Sequence, residues 1–94
     1  MSDPAAAGTG GFAPPFTPLQ GQYLAFIRTS TLVNGRPPSE AELQRFFGVT
    51  APTVHQMILT LERRTLIART PGAPRSTRVL VPANELPPLE TRAK

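Results

Sequence analysis

Cysteine and tryptophan are absent from this 94-residue sequence, and of its ten basic residues only the last, Lys94, is lysine. Without cysteine there is no disulfide scaffold, no thiolate metal site and no cysteine nucleophile. His55 is the only histidine, so it has no second imidazole to share a metal, and no nucleophile and orienting carboxylate stand ready to make it a general base. Long apolar runs are missing too, and no stretch could span a bilayer. The first residues, Met1-Ser2-Asp3-Pro4-Ala5-Ala6-Ala7, lack the basic start and apolar run of an export signal. These absences lead to the expectation of a soluble, cytoplasmic protein that is not an enzyme. No metal, cofactor, small-molecule ligand or membrane contact is expected.

Acidic residues are also scarce, six in all. Between Phe16 and Val81 the sequence places Arg28, Arg36, Arg45, Arg63, Arg64, Arg69, Arg75 and Arg78 against Glu40, Glu42 and Glu62 alone. A small domain with this excess suits a polyanionic partner, because guanidinium grips phosphate in a two-pronged geometry that lysine cannot form. The twelve prolines and seven glycines gather toward the two ends. Residues 1–15 are therefore expected to form a flexible arm, 16–82 the folded domain and 83–94 an extended tail.

Within the domain the apolar spacing is first helical. Thr17-Pro18-Leu19-Gln20 predicts a capping box with proline at the first helical position, and Leu19, Tyr23, Leu24, Phe26 and Ile27 follow as a wide apolar band. Asn34-Gly35 and Pro37-Pro38 end that helix. Ser39-Glu40-Ala41-Glu42 caps a second, short helix that buries Leu43, Phe46 and Phe47 and stops at Gly48. A third follows after a very short link, with Thr50 as its cap, Val49 stapled onto Val54, and Val54, Met57, Ile58 and Leu61 on one face. The period then changes. Leu66–Thr70 and Thr77–Val81 read as strands around the turn-forming Pro71-Gly72-Ala73-Pro74-Arg75-Ser76. The expected fold is mainly α with a small β-hairpin, a winged helix–turn–helix of three helices plus a wing.

In such a fold the outward, N-terminal face of the third helix enters the major groove of double-stranded DNA. Pro52, His55, Gln56, Leu59, Thr60 and Arg63 fall on the outward face, and Thr53 is a further candidate contact. Gln56 can pair with adenine, His55 can donate to guanine, and the threonines can touch phosphate or a thymine methyl. Arg75 and Arg78 on the wing, Arg45 on the second helix and Ser39 at that helix's start are the candidate phosphate contacts. One winged helix reads few base pairs, so a weak homodimer, or dimerisation on DNA, is expected through the first helix and the Leu86–Leu89 tail. That tail could equally lie back on its own domain. Leu59 is one apolar residue more than a single buried face needs, which keeps a second reading open, a winged-helix module that docks proteins and not DNA.

The stretches Asn34–Leu43, Gly48-Val49, Leu61–Ile67 and Gly72–Leu80 together resemble the DNA-binding domain of the LexA repressor family, over about Phe16 to Val81. The double proline before the second helix and the Gly72-Ala73-Pro74-Arg75 wing carry most of the likeness. The resemblance implies a bacterial winged-helix transcriptional regulator that reads DNA sequence. LexA repressors also carry a second domain with a serine–lysine pair for self-cleavage. The likeness stops near Val81 and Lys94 is the sole lysine, so a stand-alone unit without self-cleavage is expected.

Overall fold

The computed structural model describes residues 15–90. The proposed N-terminal arm, apart from Pro15, lies outside the described residues, as do positions 91–94 of the tail. Three helices, α1 (Pro18–Asn34), α2 (Glu40–Phe47) and α3 (Ala51–Arg63), precede a two-stranded hairpin, β1 (Ile67–Ala68) and β2 (Arg78–Val79). The strands are antiparallel, with Ile67 opposite Val79 and Ala68 opposite Arg78. This is a winged helix–turn–helix.

Local chemistry sets the element boundaries. Both expected capping boxes form: Thr17 and Gln20 exchange bonds of 3.1 and 2.9 Å, and Ser39 and Glu42 bonds of 3.1 and 2.8 Å. Gly35 and Gly48 adopt left-handed conformations that close α1 and α2. The third cap departs from expectation. Thr50 makes no side-chain cap bond, because its hydroxyl pairs with the Thr53 hydroxyl at 2.9 Å. At the far end of α3, Leu66 N–H donates to the Leu61 carbonyl and Thr65 N–H to that of Glu62. This is a Schellman closure, and the residue at the left-handed position is Thr65 at φ 58°, not glycine.

The core joins Tyr23, Leu24 and Ile27 of α1 to Leu43 and Phe47 of α2, to Val54, Ile58 and Leu61 of α3, and to Leu66 and Ile67. Tyr23 and Phe47 stack with ring centroids 4.0 Å apart, and Phe26 stacks on Phe46 at 4.3 Å. Val49 and Met57 pack against this cluster from its edge. Leu19, expected in the α1 band, is 47% exposed, while Gln20, Gly21 and Gln22 are buried.

The C-terminal stretch explains that inversion. After a 3-10 turn at Ala83–Glu85 the chain runs back over α1. Gln22 donates to the Pro88 carbonyl at 3.0 Å and accepts from the Glu90 amide at 2.8 Å. Gly21 lies so close beneath that a Cβ there would sit 3.0 Å from both the Phe16 ring and Pro87. Of the two positions open to the Leu86–Leu89 segment, it takes the one on its own domain.

The hairpin is shorter than the two five-residue runs suggest. Two residues pair on each side, extended by a Leu80 N–H to Leu66 carbonyl bond of 2.9 Å. Beyond them the Ser76 hydroxyl ties to both backbone groups of Thr70, and Gly72 and Arg75 turn the loop with positive φ. Side-chain closure takes over from the strand ladder there.

Candidate nucleic-acid interface

The first two turns of α3 present Pro52, Thr53, His55 and Gln56 to solvent, opposite the buried Val54, Ile58 and Leu61. Gly48 and Val49 fix the angle at which α3 leaves α2, so this exposed face is held rigidly relative to the core. Thr60 is half-buried and its hydroxyl accepts from Arg63 at 3.3 Å. Leu59 is half-buried as well.

Beside this face, the start of α2 and the wing are joined by charge. His55 Nδ1 stands 3.6 Å from a Glu40 carboxylate oxygen. The same carboxylate lies 4.0 Å from Arg69 of the wing, which also grips Glu62 of α3 through two donors at 2.8 and 3.2 Å. Arg75 donates through one nitrogen to Glu42 at 2.9 Å and to the Pro37 carbonyl at 3.2 Å. A groove of about 620 Å³ runs between the wing loop and these helix ends, lined among others by Ser39, Glu40, Arg69, Pro71 and Arg75. The Glu42 carboxyl is held below its ordinary range, first by the Ser39 amide and next by the Arg75 guanidinium; partial desolvation opposes them, and Arg45 adds a weaker pull.

The candidate residues thus divide. Ser39, His55 and Arg75 come together at the α2–α3–wing junction, with Pro52, Thr53 and Gln56 exposed next to it on α3. Arg45 is exposed in the last turn of α2. Arg78 borders a neighbouring groove, which shares Arg75 with the first and is lined also by Arg28, Thr31 and Leu32 of α1. Ser39 is satisfied by its own capping box, and Arg75 serves as the bolt that fastens the wing to α2.

Sequence reasoning missed Glu40, Glu42 and Glu62 as anchors for the wing arginines. The pairs are separated by up to 33 positions, and no local pattern announces a contact at that distance. It missed Gln22 for the same reason. Helical spacing could have flagged Leu32 and Val33, apolar residues on the last turn of α1 that are 69% and 76% exposed.

Among the described residues no helix is long and apolar enough to cross a membrane. Residues 13–76 match the model of the family described as the LexA DNA binding domain. A LexA repressor of Methylococcus capsulatus is 39% identical over 72 residues, covering 76% of this chain and 36% of the relative. LexA repressor 1 of Pseudomonas putida is 35% identical over 79 residues, covering 83% and 36%. A LexA repressor of Syntrophomonas wolfei is 36% identical over 75 residues, covering 79% and 35%. The chain spans about a third of the length of the curated relatives it matches. With three helices, a glycine corner and a charge-fastened wing behind that match, the chain belongs to the LexA DNA-binding domain family.

Proposed function

We propose that this domain binds double-stranded DNA with sequence preference and acts as a transcriptional regulator, without enzymatic activity of its own. The observation that carries this is the solvent-facing N-terminal half of α3, fixed at the helix–turn–helix corner of a LexA-type domain. Set in the major groove, that half brings Gln56 and His55 to base edges and Pro52 and Thr53 to the groove wall. Arg45, the exposed amides at the start of α2 behind Ser39, and the free nitrogens of Arg75 face the flanking phosphates. Thr60, half-buried two turns along the same helix, holds Arg63 through its hydroxyl. Arg78 contributes at the edge of the footprint. The relatives of similar sequence are named as repressors, and repression by occlusion of a promoter is the corresponding role here, in the cytoplasm at the nucleoid.

One such domain buries only about 600–1,000 Å² on DNA, which selects few base pairs. Two copies on adjacent half-sites supply the missing specificity. The C-terminal segment is already spent on Gln22 within its own protomer, so the copies meet through DNA and not by exchanging tails. Gel shifts with random and selected duplexes at two salt concentrations test the reading. If about four phosphates are neutralised per protomer, affinity should fall with a log–log slope of roughly −3 to −4. Affinity insensitive to salt, or no binding to any duplex at low salt, would refute it.

A further inference from the structure

We propose that the groove between the C-terminal half of α1 and β2 is a docking site for an acidic protein segment carrying large aliphatic side chains, distinct from the α3 face. Its volume is about 350 Å³, and it is lined by Arg28, Thr31 and Leu32 of α1, Pro37 of the following turn, the wing loop from Arg75 to Thr77, and Arg78 and Val79 of β2. The apolar surface continues on both sides. Val33 follows Leu32 on the helix, and Leu80, 45% exposed, shares a strand face with Arg78 by two-residue alternation. Single exposed leucines are ordinary on protein surfaces, but Leu32 lines a concave groove with Val79, and Val33 and Leu80 are exposed at neighbouring positions, which marks a binding surface.

Charge decides the occupant. Arg69 and Arg75 are each engaged by glutamates, whereas Arg28, Arg36 and Arg78 have no acidic partner within ion-pair distance among the described residues. All three surround this groove or the turn that closes it. A second copy of the chain placed symmetrically here would set these arginines against their own counterparts, a like-charge contact that costs affinity. A phosphate backbone would satisfy the arginines but leave Leu32, Val33 and Leu80 without a partner. A segment with carboxylates for the arginines and aliphatic groups for the groove satisfies both. Binding there leaves the first turns of α3 open, while Arg75 and Arg78 border both this groove and the proposed phosphate contacts.

The test is an amide NMR titration of the full chain with a short synthetic peptide of glutamates and leucines. Three controls accompany it: the same peptide with serine for leucine, one with lysine for glutamate, and a random-sequence duplex. The glutamate–leucine peptide should shift amides in Arg28–Val33 and Arg78–Leu80. The combined substitution Leu32→Gln and Val33→Gln, at exposed sites outside the DNA-reading face, should weaken the peptide about tenfold or more while leaving duplex affinity unchanged. Equal binding of the serine peptide would overturn the proposal, as would an absence of shifts at this groove. Duplex DNA shifting the amides of Arg28–Val33 as strongly as the peptide would assign the groove to DNA. Concentration-dependent shifts there without peptide would assign it to a second copy.

Discussion

Gln56 and Arg45 are both exposed, yet they are proposed to meet different parts of a duplex, and substitution separates the two roles. Gln56→Ala should cost about 1–3 kcal/mol on the preferred sequence and little on random DNA, since only the correct base pair satisfies its amide. Arg45→Ala should weaken both duplexes by similar factors and flatten the salt slope by about one unit, because a phosphate contact carries no sequence information. Gel-shift titrations of both variants read this out, and equal losses on the two duplexes for Gln56→Ala would remove it as a reader. Glu42 behaves differently. Its carboxyl is held below the ordinary glutamate value of about 4.3 by the Ser39 amide and the Arg75 guanidinium. A depressed folded value means that the contribution is full above the ordinary range and disappears as pH falls through the folded value. Glu42→Gln keeps a cap-box partner for Ser39 but loses the charge. Its melting temperature should lie below that of the parent at neutral pH, and the gap should close on acidification below pH about 4.

At the scale of elements, the ends of the helices hold most of the local information, and one of them is strained. Thr65 takes the left-handed position that closes α3, at φ 58°. A β-branched residue is disfavoured there by about 1–2 kcal/mol, and glycine gives back part of the relief through its freer unfolded chain. Thr65→Gly should therefore stabilise the domain by about 0.5–1 kcal/mol, measured by urea unfolding. An unchanged or lower midpoint would mean that the Thr65 side chain contributes to stability in a way its exposure does not suggest. The wing is an element of another kind. Its ladder is only two residues deep on each side, and Arg69 and Arg75 fasten it to Glu62 and Glu42. Such half-exposed pairs add little stability singly, but they set the wing's position relative to α3.

Over the whole molecule the C-terminal stretch is part of the fold. It brings Pro87 over Gly21, fills both polar ends of Gln22 and places Leu86 against the core. Deleting residues 83–94 should cost about 1–3 kcal/mol by exposing that apolar surface and freeing Gln22. Equilibrium unfolding of the shortened chain tests this, and a stability equal to that of the full chain would show the segment to be a passive neighbour. Because DNA contact is assigned to the opposite elements, the shortened chain should keep its salt slope at temperatures where it remains folded.

The elements themselves were legible in the order of residues. Capping boxes at Thr17 and Ser39, the glycine stops at 35 and 48, the 3.6-residue spacing of Val54, Ile58 and Leu61 and the change of period after Thr65 act over four or five positions, so the chain states them locally. The exposed half of α3 was legible for the same reason, since burying one face of a helix fixes the other. What the sequence left open was every partnership between distant residues: whether the wing arginines face solvent or glutamates, whether the Leu86–Leu89 segment lies on its own α1, and whether Leu32 and Val33 are covered. Those outcomes depend on which surfaces the packed helices bring within a few ångströms of each other. Arg75 could be read from the sequence as a free cation; only the packing of the wing on α2 sets it against Glu42 and the Pro37 carbonyl. The same packing leaves Arg78 in a groove with Arg28 and Leu32, since charge at a sequence position has no direction until the backbone around it is folded.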